Sequence, residues 1–306
     1  MPLYLAPLEG LTNYLFRKTF CSHFTGVDKA FTPFLTTNKN RKFKNRDLKE
    51  LEKLEGMNII PQIMSNNADD FAAMSNQLFD LGFDEINWNT GCPYPTVVAK
   101  KKGAGLLPYP DMIDRILDQV MARSPCTFSV KTRLGLNTVD DFIELIPVFN
   151  RYPLTELIIH PRTAVQKYSG TCDRNFVKFV ISEIACPVCY SGDINSLEEY
   201  HQLIAGIPSL HSVMIGRAAV SRPFIFEEIK SNTPFSRAQG EKQILVFQEE
   251  LRKQYEQVLS GDAHLLHKMK DCWKYFGQYF GDDKKLFKIL KAKTRTAFIE
   301  AVADYY

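Results

Sequence analysis

A thiol held in a tight turn is the first chemistry this chain offers. Cys92 lies in Asn87-Trp88-Asn89-Thr90-Gly91-Cys92-Pro93-Tyr94-Pro95. The short run Asp84-Glu85-Ile86 precedes it, and a basic, glycine-containing segment, Lys100-Lys101-Lys102-Gly103-Ala104-Gly105, follows. Parallel barrels and open α/β sheets carry their reacting groups on the loops that follow strands. The same cysteine also suits a buried position, because a free thiol packs as a small hydrophobe. Cys186-Pro187-Val188-Cys189 has CxxC spacing but reads as a buried strand, and no second Cys or His pair completes a metal site, so no metal is expected.

Other polar groups recur at the ends of further apolar runs. The first run ends in Ala6-Pro7-Leu8-Glu9-Gly10, the third carries Gln62, and the fourth carries Asn89 ahead of Cys92. The fifth gives Val130-Lys131-Thr132-Arg133 and the sixth His160-Pro161-Arg162-Thr163. Ser191-Gly192-Asp193 and Ile215-Gly216-Arg217 end the seventh and eighth. A lone strand lysine or histidine is usually structural. Successive strand ends of this kind converge on one mouth in a barrel and so share a site. Glycine turns followed by Asp193 and Arg217, after the last two strands, suit a phosphate dianion. Gln62 and Asn89 suit the donor and acceptor edge of a flat heterocycle, and Lys131 favours negative charge on it. Together these groups point to flavin mononucleotide (FMN).

The elements that must position these residues alternate regularly. Candidate strands are 3–7, 27–34, 58–64, 84–89, 126–132, 156–160, 187–191 and 212–216. Helical patterning lies near 12–21, 68–81, 110–122, 138–151, 173–185, 196–205 and 217–230, with a further helix over 48–54. Several helices open on start signals such as Asn67-Ala68-Asp69-Asp70 and Asn195-Ser196-Leu197-Glu198-Glu199. Eight strands in βα alternation predict an α/β fold, a TIM (β/α)8 barrel, over residues 1–233. From Arg237 the pattern is helical only, with Ile244, Phe247, Leu251, Tyr255, Val258 and Leu259 on one face, which predicts a small all-helical C-terminal domain over 234–306.

Composition adds limits. The 306 residues are 45% hydrophobic and 24% charged, an ordinary globular balance. No run approaches the roughly 18 apolar residues of a membrane span. Met1-Pro2-Leu3-Tyr4-Leu5 lacks the charged start of a signal peptide, and the seven cysteines show no framework spacing; a cytoplasmic protein is expected. The net charge is only +3, but its distribution is uneven. Asn38–Arg46 carries five cations and no acid, and Lys268–Arg295 carries nine Lys or Arg against three Asp. With Phe43, Trp273, Tyr275, Phe276, Tyr279, Phe280 and Phe287 interleaved, these clusters fit either a polyanion surface or the core of a small helical domain.

The motifs together resemble those of the tRNA-dihydrouridine synthase family. The match is carried by Ala6-Pro7-Leu8-Glu9-Gly10-Leu11-Thr12 with Phe16-Arg17, Asn89-Thr90-Gly91-Cys92-Pro93, Lys101-Lys102-Gly103-Ala104-Gly105, Val130-Lys131-Thr132-Arg133-Leu134-Gly135, His160–Gly170, Gly192-Asp193-Ile194 and Met214–Ala218, in order over roughly residues 1–230. The resemblance implies an FMN barrel that uses NADPH to reduce particular uridines in tRNA, with the helical tail helping to hold the RNA and no obligate protein partner. It implies Pro7, Leu8, Glu9, Gln62, Lys131, His160, Ser191, Gly192, Asp193, Gly216 and Arg217 as flavin contacts. The implied reaction is hydride transfer from flavin N5 to uracil C6 and a proton from Cys92 to C5. An unperturbed thiol, with a pKa of about 8.5, is mostly protonated at neutral pH and needs no base to act as an acid. A uridine inside folded tRNA must be extruded to reach a barrel mouth. Asn89, Lys100, Lys101, Lys102, Arg133 and Arg162 are the expected substrate contacts.

The sequence departs from the family pattern at Asn87, where Asp is usual, at Ser191, where Asn is usual, and at Leu8, where Met is commoner. The chain also runs directly from Gly105 into Leu106-Leu107, shortening the usual loop. The residues leave other chemistry open: a flavin barrel acting on a small molecule, a Schiff-base aldolase using Lys131, or an inactive RNA-binding barrel.

Overall fold

The computed structural model describes residues 1–36 and 42–306. The first part of the expected basic stretch, residues 38–41, lies outside the described residues. The strands are β1 (Leu3–Leu5), β2 (Lys29–Phe31), β3 (Asn58–Ile60), β4 (Gln62–Ile63), β5 (Glu85–Thr90), β6 (Thr127–Arg133), β7 (Glu156–His160), β8 (Val188–Tyr190) and β9 (Ser212–Ile215). Every pairing is parallel, in the order β3-β2-β1-β9-β8-β7-β6-β5-β4. The two ends of that order, β3 and β4, are consecutive in the chain, so the sheet curls round on itself as an (β/α)8 barrel of the TIM type.

The strand expected over 58–64 is thus two short ones. Pro61 divides them because it has no N–H to give to a ladder. Its carbonyl still accepts from Asn87 N at 2.9 Å, which holds the two halves in line. Helices occur in the expected places but are more divided. The 138–151 helix is two short turns, Asp140–Ile143 and Ile146–Phe149, because Pro147 is tolerated only in a helix's first turn. The 217–230 helix is likewise Arg217–Ser221 and Ile225–Ser231, with Pro223 between them. The helix expected over 48–54 is instead Asn45–Glu50, opened by Asp47 N–H donating to the Lys44 carbonyl at 2.9 Å and Lys44 N–H donating to Asp47 Oδ2 at 3.4 Å. The lysine loop after Cys92 contains a short helix, Pro95–Val98, and a 3-10 turn, Gly103–Leu106.

Strand alternation sorts side chains between two cores. Leu3, Leu5, Ile86, Trp88, Phe128, Val130, Leu157 and Ile159 face outward and pack beneath the helices. Tyr4, Phe31, Ile60, Ile158, Cys189 and Met214 fill the barrel interior. With both faces covered, strands such as β7 and β9 are buried at every residue.

Four helices follow, Arg237–Val258, Asp262–Phe280, Asp283–Lys291 and Arg295–Ala303. A capping box between Ser236 and Gln239 starts the first. Its Ile244, Phe247, Leu251 and Tyr255 are buried, but Val258, expected on the same face, is half exposed where the helix ends. Phe247 meets Phe16 edge-on at 5.3 Å, so the tail and the barrel's outer layer form one continuous apolar core. No helix among the described residues is long and apolar enough to cross a membrane.

Candidate active site

At the C-terminal ends of the strands one cavity opens, enclosing about 1100 Å³ of empty space including its mouth. All of the expected flavin contacts line it: Pro7, Leu8 and Glu9 after β1, Gln62 on β4, Lys131 on β6, His160 on β7, Ser191, Gly192 and Asp193 after β8, and Gly216 and Arg217 after β9. Asn89, Cys92 and Arg133 line it too. The barrel converts seven separated stretches of sequence into one surface, because inward-facing positions at successive strand ends meet around a common axis.

A chain of amides fixes the side under Cys92. The backbone N–H groups of Gly91 and Cys92 donate to Asn89 Oδ1 at 3.1 and 3.0 Å. Asn89 Nδ2 therefore donates to Gln62 Oε1 at 2.8 Å, Gln62 Nε2 to Asn87 Oδ1 at 2.7 Å, and Asn87 Nδ2 to Ser129 Oγ at 2.9 Å. Each amide's orientation follows from its neighbour's, and Gln62 and Asn89 each retain one N–H for a ligand. Asn87 accepts from Gln62 and donates to Ser129; an unprotonated Asp could do only the first.

Cys92 is buried, and burial pushes its thiol above the ordinary value, so Sγ carries a proton at neutral pH. The 3-10 turn packs directly behind it. A Cβ on Gly103 would come within 2.7 Å of the Cys92 carbonyl, and Gly103 has φ +53°, so glycine is required there on two counts. Ala104 N donates to the same carbonyl at 3.0 Å.

Lys131 lines the same cavity as the thiol, with no hydrogen bond or ion pair to Nζ among the described residues. Desolvation, aided by the Arg133 charge, lowers its pKa to about 8. His160 is pushed down to about 2 by burial and by the Arg133, Lys131 and Arg162 cations, so its imidazole is neutral throughout the physiological range.

The remaining arginines divide by partner. Arg133 donates to the carbonyls of Gly91, Thr163 and Lys167 at 3.1, 3.0 and 2.8 Å, tying the loops after β5 and β7 together. Arg162, expected to touch substrate, is instead buried behind the wall, bonded to the Ser169 and Gly170 carbonyls and to Asp193 at 2.5 Å. It does not line the cavity itself, although its partner Asp193 does, and the sequence cannot show which of the two faces the mouth. Asp193 also pairs with Arg217, so this corner holds two guanidinium groups against one carboxylate. Lys100, Lys101 and Lys102 do not line the cavity; they sit on the outside of the loop that holds Cys92, with Lys101 Nζ 4.2 Å from the Tyr109 ring centroid.

Sequence reasoning missed several lining residues. Tyr94, Tyr168 and Tyr275 come from three separate segments, and Tyr168 lies under both Arg217 at 4.4 Å and Arg133 at 5.6 Å. The position of Tyr94 after Gly91-Cys92-Pro93 was a usable signal. Tyr275, from the Asp262–Phe280 helix, had none beyond being aromatic in a basic stretch.

Fold and site define a TIM-type barrel with, at its mouth, a protonated thiol, an amine without a partner among the described residues, and a corner where two guanidinium groups meet one carboxylate. The family model described as Dihydrouridine synthase (Dus) matches residues 4–300, and the chain belongs to that family. Among curated proteins it is similar to a tRNA-dihydrouridine synthase B of Vibrio vulnificus, at 28% identity over 91% of this chain and 82% of that protein. It is similar to a tRNA-dihydrouridine synthase B of Pasteurella multocida, at 28% identity over 75% of this chain and 69% of that protein. A tRNA-dihydrouridine(16) synthase of Neisseria meningitidis serogroup A is also 28% identical, over 74% of this chain and 70% of that protein.

Proposed function

We propose that the protein is an FMN- and NADPH-dependent tRNA-dihydrouridine synthase of the cytoplasm, with residues 1–233 as the catalytic barrel and 234–306 as a tRNA-holding domain. The observation that carries this reading is the pairing, in one cavity of a member of this family, of a buried protonated thiol with an amine that has no anionic partner among the described residues.

The residues fit a flavin nucleotide. Lys131, without a partner among the described residues, is costly inside a cavity unless a ligand brings negative charge. Gly192 lies so close over the Tyr190 ring that any Cβ would collide with it, leaving a smooth floor beside Arg217 for a phosphate. Gln62 and Asn89 would present their spare N–H groups to the ring edge, and neutral His160 would donate one hydrogen bond without adding charge. Ser191 offers a hydroxyl to the ribityl chain.

The bound cofactor, reduced by NADPH, would supply hydride to C6 of uracil. Cys92 holds the proton at Sγ for delivery to C5, and its raised pKa keeps that proton in place until the base arrives. Arg133 ties the loop that carries the thiol to the loop after β7. A uridine would reach this mouth only once extruded from the RNA. Lys100, Lys101 and Lys102 are placed to meet backbone phosphates beside it.

The tail's cations contribute less than their number implies. Lys274 pairs with Asp271, Lys288 with Asp304, and Lys268 and Lys270 bond the carbonyls of Gly10 and Ala292. The test is the absorbance spectrum of purified protein, then anaerobic bleaching by NADPH and reoxidation by unmodified tRNA transcript. Flavin absorbance, reoxidation by tRNA and dihydrouridine in the product are expected. Reoxidation that ignores tRNA would point instead to a small-molecule substrate, and folded protein that takes up no FMN would sink the proposal.

A further inference from the structure

The helical tail reaches into the cavity. Tyr275 lines it together with Tyr94 from the loop after β5 and Tyr168 from the loop after β7. Tyr94 and Tyr168 are 61% and 50% exposed, so both rings stand open at the cavity's rim. Tyr275 is half-buried. Its phenol is raised by burial, with Tyr168 and Tyr94 adding to the shift and Arg217 opposing it, so the hydroxyl is neutral beside both rings.

The position of Tyr275 is imposed by its helix. Two turns before it on this face, Lys268 Nζ donates to the Gly10 carbonyl of the β1 loop at 3.1 Å. One turn after it, Tyr279 packs edge-on against Phe224 at 5.5 Å and faces Arg222 at 5.7 Å. Buried Trp273, Phe276 and Phe280 hold the opposite side in the tail's core. Positions 268, 275 and 279 share a face at helical spacing. The helix is therefore fastened to the barrel on both sides of Tyr275, and the ring is presented to the cavity by a rigid element.

We propose that Tyr275 is a substrate-contacting residue that walls the pocket for the extruded nucleotide. Its ring packs against the pyrimidine nucleoside once Tyr94 and Tyr168 have received it. Three phenol rings with guanidinium planes among them suit a nucleotide, because aromatic faces stack bases while cations meet phosphate. The tail then takes part in choosing what enters the site, besides holding RNA from outside. This inference rests on the tRNA-uridine reading.

Tyr275→Phe and Tyr275→Ala should be compared in the full-length flavin-loaded protein by two assays, NADPH oxidation with oxygen as acceptor and dihydrouridine formation on tRNA transcript. The phenylalanine variant should stay within about threefold of wild type in both. The alanine variant should raise KM for tRNA on the order of tenfold while leaving NADPH oxidation unchanged. If the alanine variant folds poorly, Tyr275→Leu serves, with the same split expected. Wild-type KM in the alanine or leucine variant overturns the proposal, as does a parallel loss of NADPH oxidation, which would make the ring a support for the flavin site. Wild-type protein that forms no dihydrouridine removes the reading on which it rests, whatever the variants do.

Discussion

At the N-terminal ends of the strands Lys29 meets Glu85 at 2.6 Å, and Glu156 accepts from Tyr4 OH at 3.3 Å and from Ser212 Oγ. At the C-terminal ends Lys131 has no partner among the described residues, and Cys92 and His160 face the cavity. Both sets stand on the same inward-facing positions: β7 alone carries Glu156 at one end, Ile158 in the middle and His160 at the other. The apolar layer of Phe31, Ile60, Ile158, Cys189 and Met214 lies between. The lower end spends its polar groups on one another, which closes the barrel. The upper end leaves an amine and a thiol unspent, and unspent buried chemistry marks the end that binds a ligand.

The largest break in that contrast is expected at the thiol. Cys92→Ala should keep flavin and NADPH oxidation yet slow uridine reduction about 10²- to 10⁴-fold, as read by dihydrouridine formation in single turnovers. Near-normal rates would remove Cys92 from proton delivery. Removing the unpaired charge comes next. Lys131→Met should weaken FMN binding by roughly 10- to 100-fold in a fluorescence titration, the scale of a lost charge-assisted hydrogen bond. In the wild type the same affinity should fall as pH rises through about 8, where the free amine loses its proton. Ligand-free stability runs the other way. Because the folded pKa lies below 10.5, the empty protein should gain stability between pH 8 and 10.5.

The lower end should answer to pH with the opposite sense and no effect on chemistry. Burial pushes Glu156 up to about 7 from 4.5, so its protonated form stabilises the fold and that contribution is lost as pH rises through 7. Glu156→Gln should therefore gain about 2–3 kcal/mol relative to wild type at pH 8 and almost nothing at pH 4, measured by urea unfolding. An equal effect at both pH values would show that packing, not titration, governs the site. The smallest effect belongs to charges outside the cavity. Replacing Lys100, Lys101 and Lys102 by alanine should weaken tRNA binding about tenfold at low salt, flatten its salt dependence, and leave turnover of bound tRNA unchanged.

Much of this site was legible because two periodicities are local. Alternation along strands placed Gln62, Asn89, Lys131 and His160 inward, and βα spacing placed their ends on one side. Gly103 and Gly192 were readable as glycines in turns, but not as residues pressed against Cys92 and Tyr190. Arg162 shows the limit: its type and place matched those of its neighbours, yet its guanidinium is consumed by Asp193 and two carbonyls. Likewise Pro61, visible in the sequence, gave no warning that it would split a strand while leaving the barrel continuous.

By itself, then, the sequence determined the barrel, the helical tail and the inward identity of the strand-end groups, since each depends on neighbours a few residues away. Tertiary structure decided which of those groups remain free. Lys131 lacks a partner among the described residues, Asp193 unites two arginines, and Tyr275 enters a cavity built by residues more than fifty positions earlier, because partner choice is set by distances that only the closed barrel and its docked tail fix.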